Sequence, residues 1–209
     1  AVETTTANSL RLQSSTSGIQ LQIDLKSSES GLAGFLARQQ SLVPLLDFSG
    51  LADMRIHGTL EISREADYDS IVGFYQVLDT DGTVFAGIDP ISGERRFLGP
   101  TDGEAYRNAA LSANNLVEPL SNLLVDDLGL SSRNLTIRSG MMLAPFAIVE
   151  TGEASHTYFA FKEANADRIE HFQMQGDNVF MFEDLYGGGD RGFDDLLIAF
   201  RPTGVMPLA

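Results

Sequence analysis

Cysteine is absent from the 209 residues, which excludes disulfide bonds and every thiolate metal site. Small domains can be stapled by metal ions instead, so the absence is compatible with either side of a membrane. No run of about 18 apolar residues occurs, and no helix is expected to span or insert into a bilayer. Basic residues are scarce, 14 Lys plus Arg against 29 Asp plus Glu, for a net charge of −15. Phosphate recognition needs clustered Lys and Arg, so nucleic acid and anionic lipid are excluded as partners. The opening Ala1-Val2-Glu3 has no initiator Met and no charged-then-apolar order of a signal peptide. It reads as the cut end of a processed or excised chain.

What is present is an ordinary apolar fraction, 43%, enough for one packed core. Residues 1–17 are rich in Ser and Thr and are expected to form a loose N-terminal arm or an edge strand. Ile19, Leu21, Ile23 and Leu25 then alternate with polar residues, the period of a half-buried strand. Residues 31–50 break the pattern, with a helical turn near 35–40. Alternation returns at Met54, Ile56, Leu60 and Ile62. Residues 71–78 are apolar on both faces, as in a strand buried between layers. Asp79-Thr80-Asp81-Gly82 makes a hairpin turn, with residues 84–88 as the return strand. Asp102 is placed to cap a short helix over 106–111, with Glu104 in its first turn. Residues 116–130 fit helix or strand equally. Further strands are expected at 135–137, 143–149, 157–161, 169–174, 178–182 and 196–200, with Pro145 at an edge or a bulge. The fold class is mainly β, a β-sandwich or jelly-roll-like domain over 18–209 with one or two short helices.

One segment concentrates chemistry. From Glu183 to Asp195 five carboxylates (Glu183, Asp184, Asp190, Asp194 and Asp195) surround Gly187-Gly188-Gly189. Between apolar flanks such a density of anions repels itself without a counter-ion. Calcium takes six to eight hard oxygens in irregular geometry, whereas magnesium demands a stricter octahedron and zinc prefers His or Cys. Glycines let carbonyl oxygens join the side chains. The alternative is a solvated acidic hairpin, since turns favour Asp and Gly without any metal. The EF-hand pattern fits neither this segment nor residues 79–82.

The segment Tyr158-Phe159-Ala160-Phe161, Ala164-Asn165-Ala166-Asp167, Glu170-His171-Phe172, Gly176-Asp177-Asn178 and then Phe182 to Leu196 resembles a bacterial family. That family is catalogued as domain of unknown function 4114. Its hallmark runs Phe-Glu-Asp-Leu, Gly-Gly-Asp and Phe-Asn-Asp-Leu, and the likeness covers about 157–200. A looser one reaches back to residues 72–75 and 106–111. The resemblance implies an extracellular or cell-surface protein, often a large exported one that also carries calcium-binding repeats. It places Glu183, Asp184, Asp190 and Asp195 in the acidic core. Asp194 stands where Asn is usual, and Gly192 where an acidic residue is expected, so a ligand is missing there. Asn165 and Asp167 resemble a second acidic cluster that completes the shell or forms another site; a polar turn between strands explains them equally well.

Catalytic alternatives find little support in the sequence. There is no nucleophile elbow, phosphate-cradling loop or zinc motif. His57 lies on a polar strand face, His156 has no motif around it, and His171 fits packing or hydrogen bonding better than catalysis. A glycosidase needs only two carboxylates, which any chain with 29 acids contains. Asp89-Pro90, a bond at which some calcium-loaded exported proteins cleave themselves, reads as a plain turn. The expectation is therefore a calcium (Ca2+) module without enzymatic activity, structural or adhesive, with a surface glycan or neighbouring domains as partners. Its lectin-like form, a carbohydrate-binding adhesin, would use Tyr186 as the ligand contact, although tryptophan is absent.

Overall fold

The computed structural model describes residues 43–65, 68–124, 129–176 and 178–208, together with the backbone of residues 2–6, 9–13 and 20–24. Strands β1 (Val2–Thr6), β2 (Ser9–Gln13) and β3 (Gln20–Asp24) pair antiparallel in that order. Thus β1 and β2 lie within the stretch expected as arm or edge strand, and β3 takes the alternating segment after it. The helical turn expected near 35–40 lies outside the described residues.

The remaining strands in chain order are β4 (Leu46–Asp47), β5 (Met54–Arg64), β6 (Asp69–Val77), β7 (Val84–Ile88) and β8 (Arg95–Leu98). After helix α1 (Glu104–Ala110) come β9 (Leu123–Leu124), β10 (Leu130–Arg138), β11 (Met142–Glu150) and β12 (Ser155–Phe159). Strands β13 (Phe172–Met174), β14 (Val179–Phe182) and β15 (Leu196–Pro207) complete the order. One sheet runs β10-β5-β15-β14-β13, and a second runs β12-β11-β6-β9 with β4 added against β11. Their pairings are antiparallel, and the domain is mainly β.

Alternation explains why the sheets face each other. On β5 the residues Ile56, Leu60 and Ile62 share one parity and are buried, while the opposite parity stays partly exposed. They meet Val72 and Phe74 of β6 and Leu143, Ala147 and Val149 of β11 in one core, a sandwich interior. Phe74 packs edge-on against Phe180 of β14 at 5.7 Å, and Phe48 against Phe200 of β15 at 5.8 Å. Truncating a buried phenylalanine of this kind costs about 3–5 kcal/mol.

The expectation that residues 71–78 are buried on both faces holds up to Val77, with Leu78 exposed, because the second sheet has a further layer. Tyr75, Val77, Ala144, Phe146 and Phe159 form a separate cluster with Tyr106 and Ala110 of α1 and Val84 of β7. The Tyr75 and Tyr106 hydroxyls hydrogen-bond each other at 3.1 Å, so neither is buried without a partner.

Four local expectations change. Asp102 does not cap α1: its carboxylate accepts from Gly99 N–H at 2.8 Å and closes the 3-10 turn Pro100–Asp102. The helix starts instead from Gly103, whose backbone (φ 60°, ψ −123°) suits glycine. After the turn at 79–82, β7 pairs with β8 rather than returning along β6, so the two apolar stretches belong to different layers. Pro145 lies in a central strand, with β6 on one side and β12 on the other. It is tolerated because its carbonyl accepts from Ala160 N–H at 3.2 Å where β12 has just ended, so the missing donor interrupts no ladder. Residues 116–130 are neither one helix nor one strand; Leu116 bridges Tyr75, β9 adds two residues, and β10 opens at Leu130.

Candidate metal centre

The acidic segment is the connection between β14 and β15. Their register pairs Phe182 with Leu196, and one step further along the same register Glu183 faces Asp195. Hydrogen bonds hold this mouth on both sides: Glu183 N–H donates to His171 O at 3.0 Å, and Glu65 N–H donates to Asp195 O at 2.9 Å. Asp184 N–H donates to a carboxylate oxygen of Asp195 at 2.8 Å. The result is a group of three acids, Glu183, Asp184 and Asp195, whose ligand atoms lie within 4.8 Å of one another. This group can hold a metal ion.

Its electrostatics differ from those of a solvated turn. Glu183 is 2% exposed and Asp184 4%. The Asp184 carboxyl is pushed up to about 7, first by burial and then by the charges of Asp195 and Glu183, with Arg64 pulling the other way. Glu183 is also raised, chiefly by burial, despite backbone N–H donors from Leu185 and Arg191. The Oδ2 atom of Asp184 is buried with no hydrogen-bond partner. A buried carboxylate oxygen without a donor is costly, so it calls for a proton or a cation.

Arg64 is the residue that the sequence reading passed over. It ends β5 at the inward parity of Ile56, Leu60 and Ile62, which puts a guanidinium 2% exposed at the sandwich edge. That parity was the available signal, because a buried arginine requires carboxylates nearby. Asp69 lies 3.7 Å from it. Arg64 thus faces Asp184 of the acidic group as well as the exposed Asp69, and one guanidinium cannot balance Glu183, Asp184 and Asp195 when all are ionised.

The loop conformation depends on glycine. Gly187, Gly188 and Gly189 all have positive φ, as do Arg191 and Phe193. A side chain at Gly189 would collide with the Glu183 carboxylate. At Gly192, expected to mark a lost acidic ligand, a Cβ would stand 2.6 Å from Asp194 Oδ1 and 3.0 Å from Asp190 Oδ1, so these two exposed side chains would have to turn aside. Asp190 and Asp194 are exposed, and Asp190 accepts from Gly192 N–H at 2.8 Å. They flank the loop tip and are not in the inner group of three.

Asn165 and Asp167 do other work. Asn165 is buried; its oxygen accepts from Phe159 N–H at 2.7 Å, and its amide donates to Phe159 O at 3.2 Å and Ile169 O at 2.7 Å. It acts as a short surrogate strand along the outer edge of β12. Asp167 accepts from Gly187 N–H at 2.9 Å and from His171 Nε2 at 2.9 Å, and so ties the glycine run to the sandwich. Its carboxyl is held below the usual value: burial acts to raise it, and the Gly187, His171 and Ile169 donors outweigh that. His171 also binds Glu183 O through Nδ1 at 2.7 Å and stacks on Tyr158 at 3.9 Å. Tyr186, at the loop surface, is 56% exposed and lies 5.2 Å from the His156 ring. His57 bonds Thr136 on an exposed strand face, and Asp89 Oδ1 accepts from Ile91 and Ser92 N–H in a turn.

Among the described residues no helix is long and apolar enough to cross a membrane. No curated protein and no solved structure matches the chain. Residues 138–203 match the model of a family described as Domain of unknown function (DUF4114). The match takes in β11 to β14, most of β15 and the whole acidic loop, while the looser likeness at 72–75 and 106–111 falls outside it.

Proposed function

We propose that this chain is a calcium-binding module of a secreted or cell-surface protein, with a structural or adhesive role and no catalytic one. The observation that carries the reading is the group of buried Glu183 and Asp184 with half-buried Asp195, in which an Asp184 oxygen has no donor. The available ligands are all hard oxygens, and the irregular glycine loop suits the flexible shell of calcium better than the octahedron of magnesium. Binding would release the Asp184 proton, since ligating carboxylates must be ionised. Asp190 and Asp194, at the exposed tip, lie outside the inner group, although the Asp190 charge is felt at Glu183.

Calorimetric titration of chelator-stripped protein should give a Kd of roughly 10⁻⁴ to 10⁻³ M or tighter, the range of extracellular modules, with magnesium much weaker. Asp184 also sets a pH dependence. It is protonated below about 7 in the metal-free protein, so apparent calcium affinity should fall as pH drops from 8 to 6, approaching tenfold per unit for one displaced proton. Absence of calcium heat at pH 8 would sink the reading.

Calcium-dependent carbohydrate binding is the second reading. It is favoured by Tyr186, an exposed ring on the same loop that carries the acids.

A further inference from the structure

Beside the loop lies a cavity of about 260 Å³, bounded by Arg107 and Asn108 of α1 and Leu111 just after it, by β12 from Ser155 to Phe159, and by Tyr186. It falls just below the range of sites for drug-sized molecules, about 300 to 1,000 Å³. One sugar ring matches that size. Its walls have the composition of a sugar site: aromatic rings for the face of a pyranose, and short polar side chains for hydroxyls. His156 and Tyr186 supply rings 5.2 Å apart, and Asn108, Ser155 and Thr157 supply polar groups.

Arg107 decides the class of sugar. It is the only lysine or arginine in the lining. One guanidinium nitrogen is anchored on Ala164 O at 3.1 Å, which holds the group in place and leaves further N–H donors for a planar anion. A neutral sugar would leave this charge unused, and a cationic one would be repelled. We propose that the cavity between α1 and the edge of β12 binds a carboxylate-bearing sugar, a uronic-acid unit, with Arg107 on the carboxylate and Tyr186 and His156 against the ring. The inference rests on the second reading and deepens it.

The same geometry supplies the calcium dependence. Rings continue inward from the cavity: Tyr186 to His156 at 5.2 Å, His156 to Tyr158 at 6.1 Å, Tyr158 to His171 at 3.9 Å. His171 holds Asp167 and the Glu183 carbonyl, and Asp167 holds Gly187, next to Tyr186. An ion held by Glu183, Asp184 and Asp195 would act on Tyr186 through these contacts. The ion also offsets the negative charge of Glu183, Asp184 and Asp195, which would otherwise repel an anionic sugar.

The test is a nitrogen-15 NMR titration with D-glucuronate, D-glucose and acetate, at fixed free calcium and again in chelator. Glucuronate should shift the amides of Arg107, Asn108, residues 155–158 and Tyr186, with a Kd on the order of 10⁻³ M for a single ring. Glucose and acetate should each bind at least tenfold more weakly, and chelator should weaken glucuronate by a similar factor. Arg107→Gln should lose tenfold or more and Arg107→Lys much less. Because Arg107 also holds Ala164, the exposed Tyr186→Ala variant gives an independent arm; it should lose about fivefold with calcium calorimetry unchanged. Equal binding of glucose or acetate, shifts elsewhere, or parent-like binding in both Arg107→Gln and Tyr186→Ala would overturn the proposal. Equal glucuronate binding in chelator would remove its calcium coupling. A missing calcium heat with glucuronate still bound at these residues would instead topple only the metal reading.

Discussion

Two acidic turns in this protein look alike as strings of residues and behave oppositely. Asp79-Thr80-Asp81-Gly82 and the segment around Gly187-Gly188-Gly189 both combine Asp with Gly between apolar strands. At the first, one Asp79 oxygen accepts from Asp81 N–H at 3.1 Å and Thr83 N–H at 2.9 Å. Burial opposes its charge, but the donors from Thr83, Asp81 and Gly82 outweigh it and hold its carboxyl below the usual value. At the second, carboxylates face carboxylates, and Asp184 and Glu183 are raised. The first turn is complete in itself. The second has an excess of acceptors over donors, so its group of three acids could hold a cation.

The comparison breaks most sharply on calcium. At about 100 times its Kd the ion should stabilise the fold by roughly 2.7 kcal/mol, some 5–10 °C in Tm for a chain of this size. Asp195→Ala should abolish that rise, and Asp190→Ala, at the exposed tip, should only diminish it. Asp79→Ala should leave the rise intact. A parent-like calcium response from Asp195→Ala in thermal melts would show that the two turns are of one kind.

Glycine sharpens it next. Gly189→Ala forces an L residue to positive φ and drives a methyl group into the Glu183 carboxylate. It should cost about 1–3 kcal/mol and weaken calcium binding. Gly152→Ala, also at positive φ but with nothing near its Cβ, should cost less and leave calcium calorimetry unchanged.

The smallest effect belongs to the self-contained turn. Asp79→Ala removes accepting bonds from partly exposed N–H groups and should cost about 1 kcal/mol in chemical denaturation. The Asp79 contribution has the ordinary sign for a depressed carboxyl: it is present above the unfolded value near 3.9 and is lost as pH falls through the lower folded value. In the variant that acid limb should be shallower.

Much of this was readable in the sequence because it is local. Alternation at 54–62 defines a strand without reference to any partner, and residues 71–78 announce two covered faces by having no polar one. The acidic, glycine-rich segment is likewise visible as composition, and its three glycines at positive φ follow from backbone sterics alone. Which acids converge was not local. Glu183 and Asp195 meet because β14 and β15 pair in the register that joins Phe182 to Leu196, and register depends on which faces the whole sandwich buries. Asn165 resembled a ligand in sequence, yet packing turned its amide onto Phe159 and Ile169. Arg64 and Arg107 stand far from the loop in sequence, and only the pairing of β5 with β15 and the packing of α1 carry their charges near it. Side-chain chemistry is a property of residues, whereas opposition of charges is a property of distance, and distance is set by the tertiary fold.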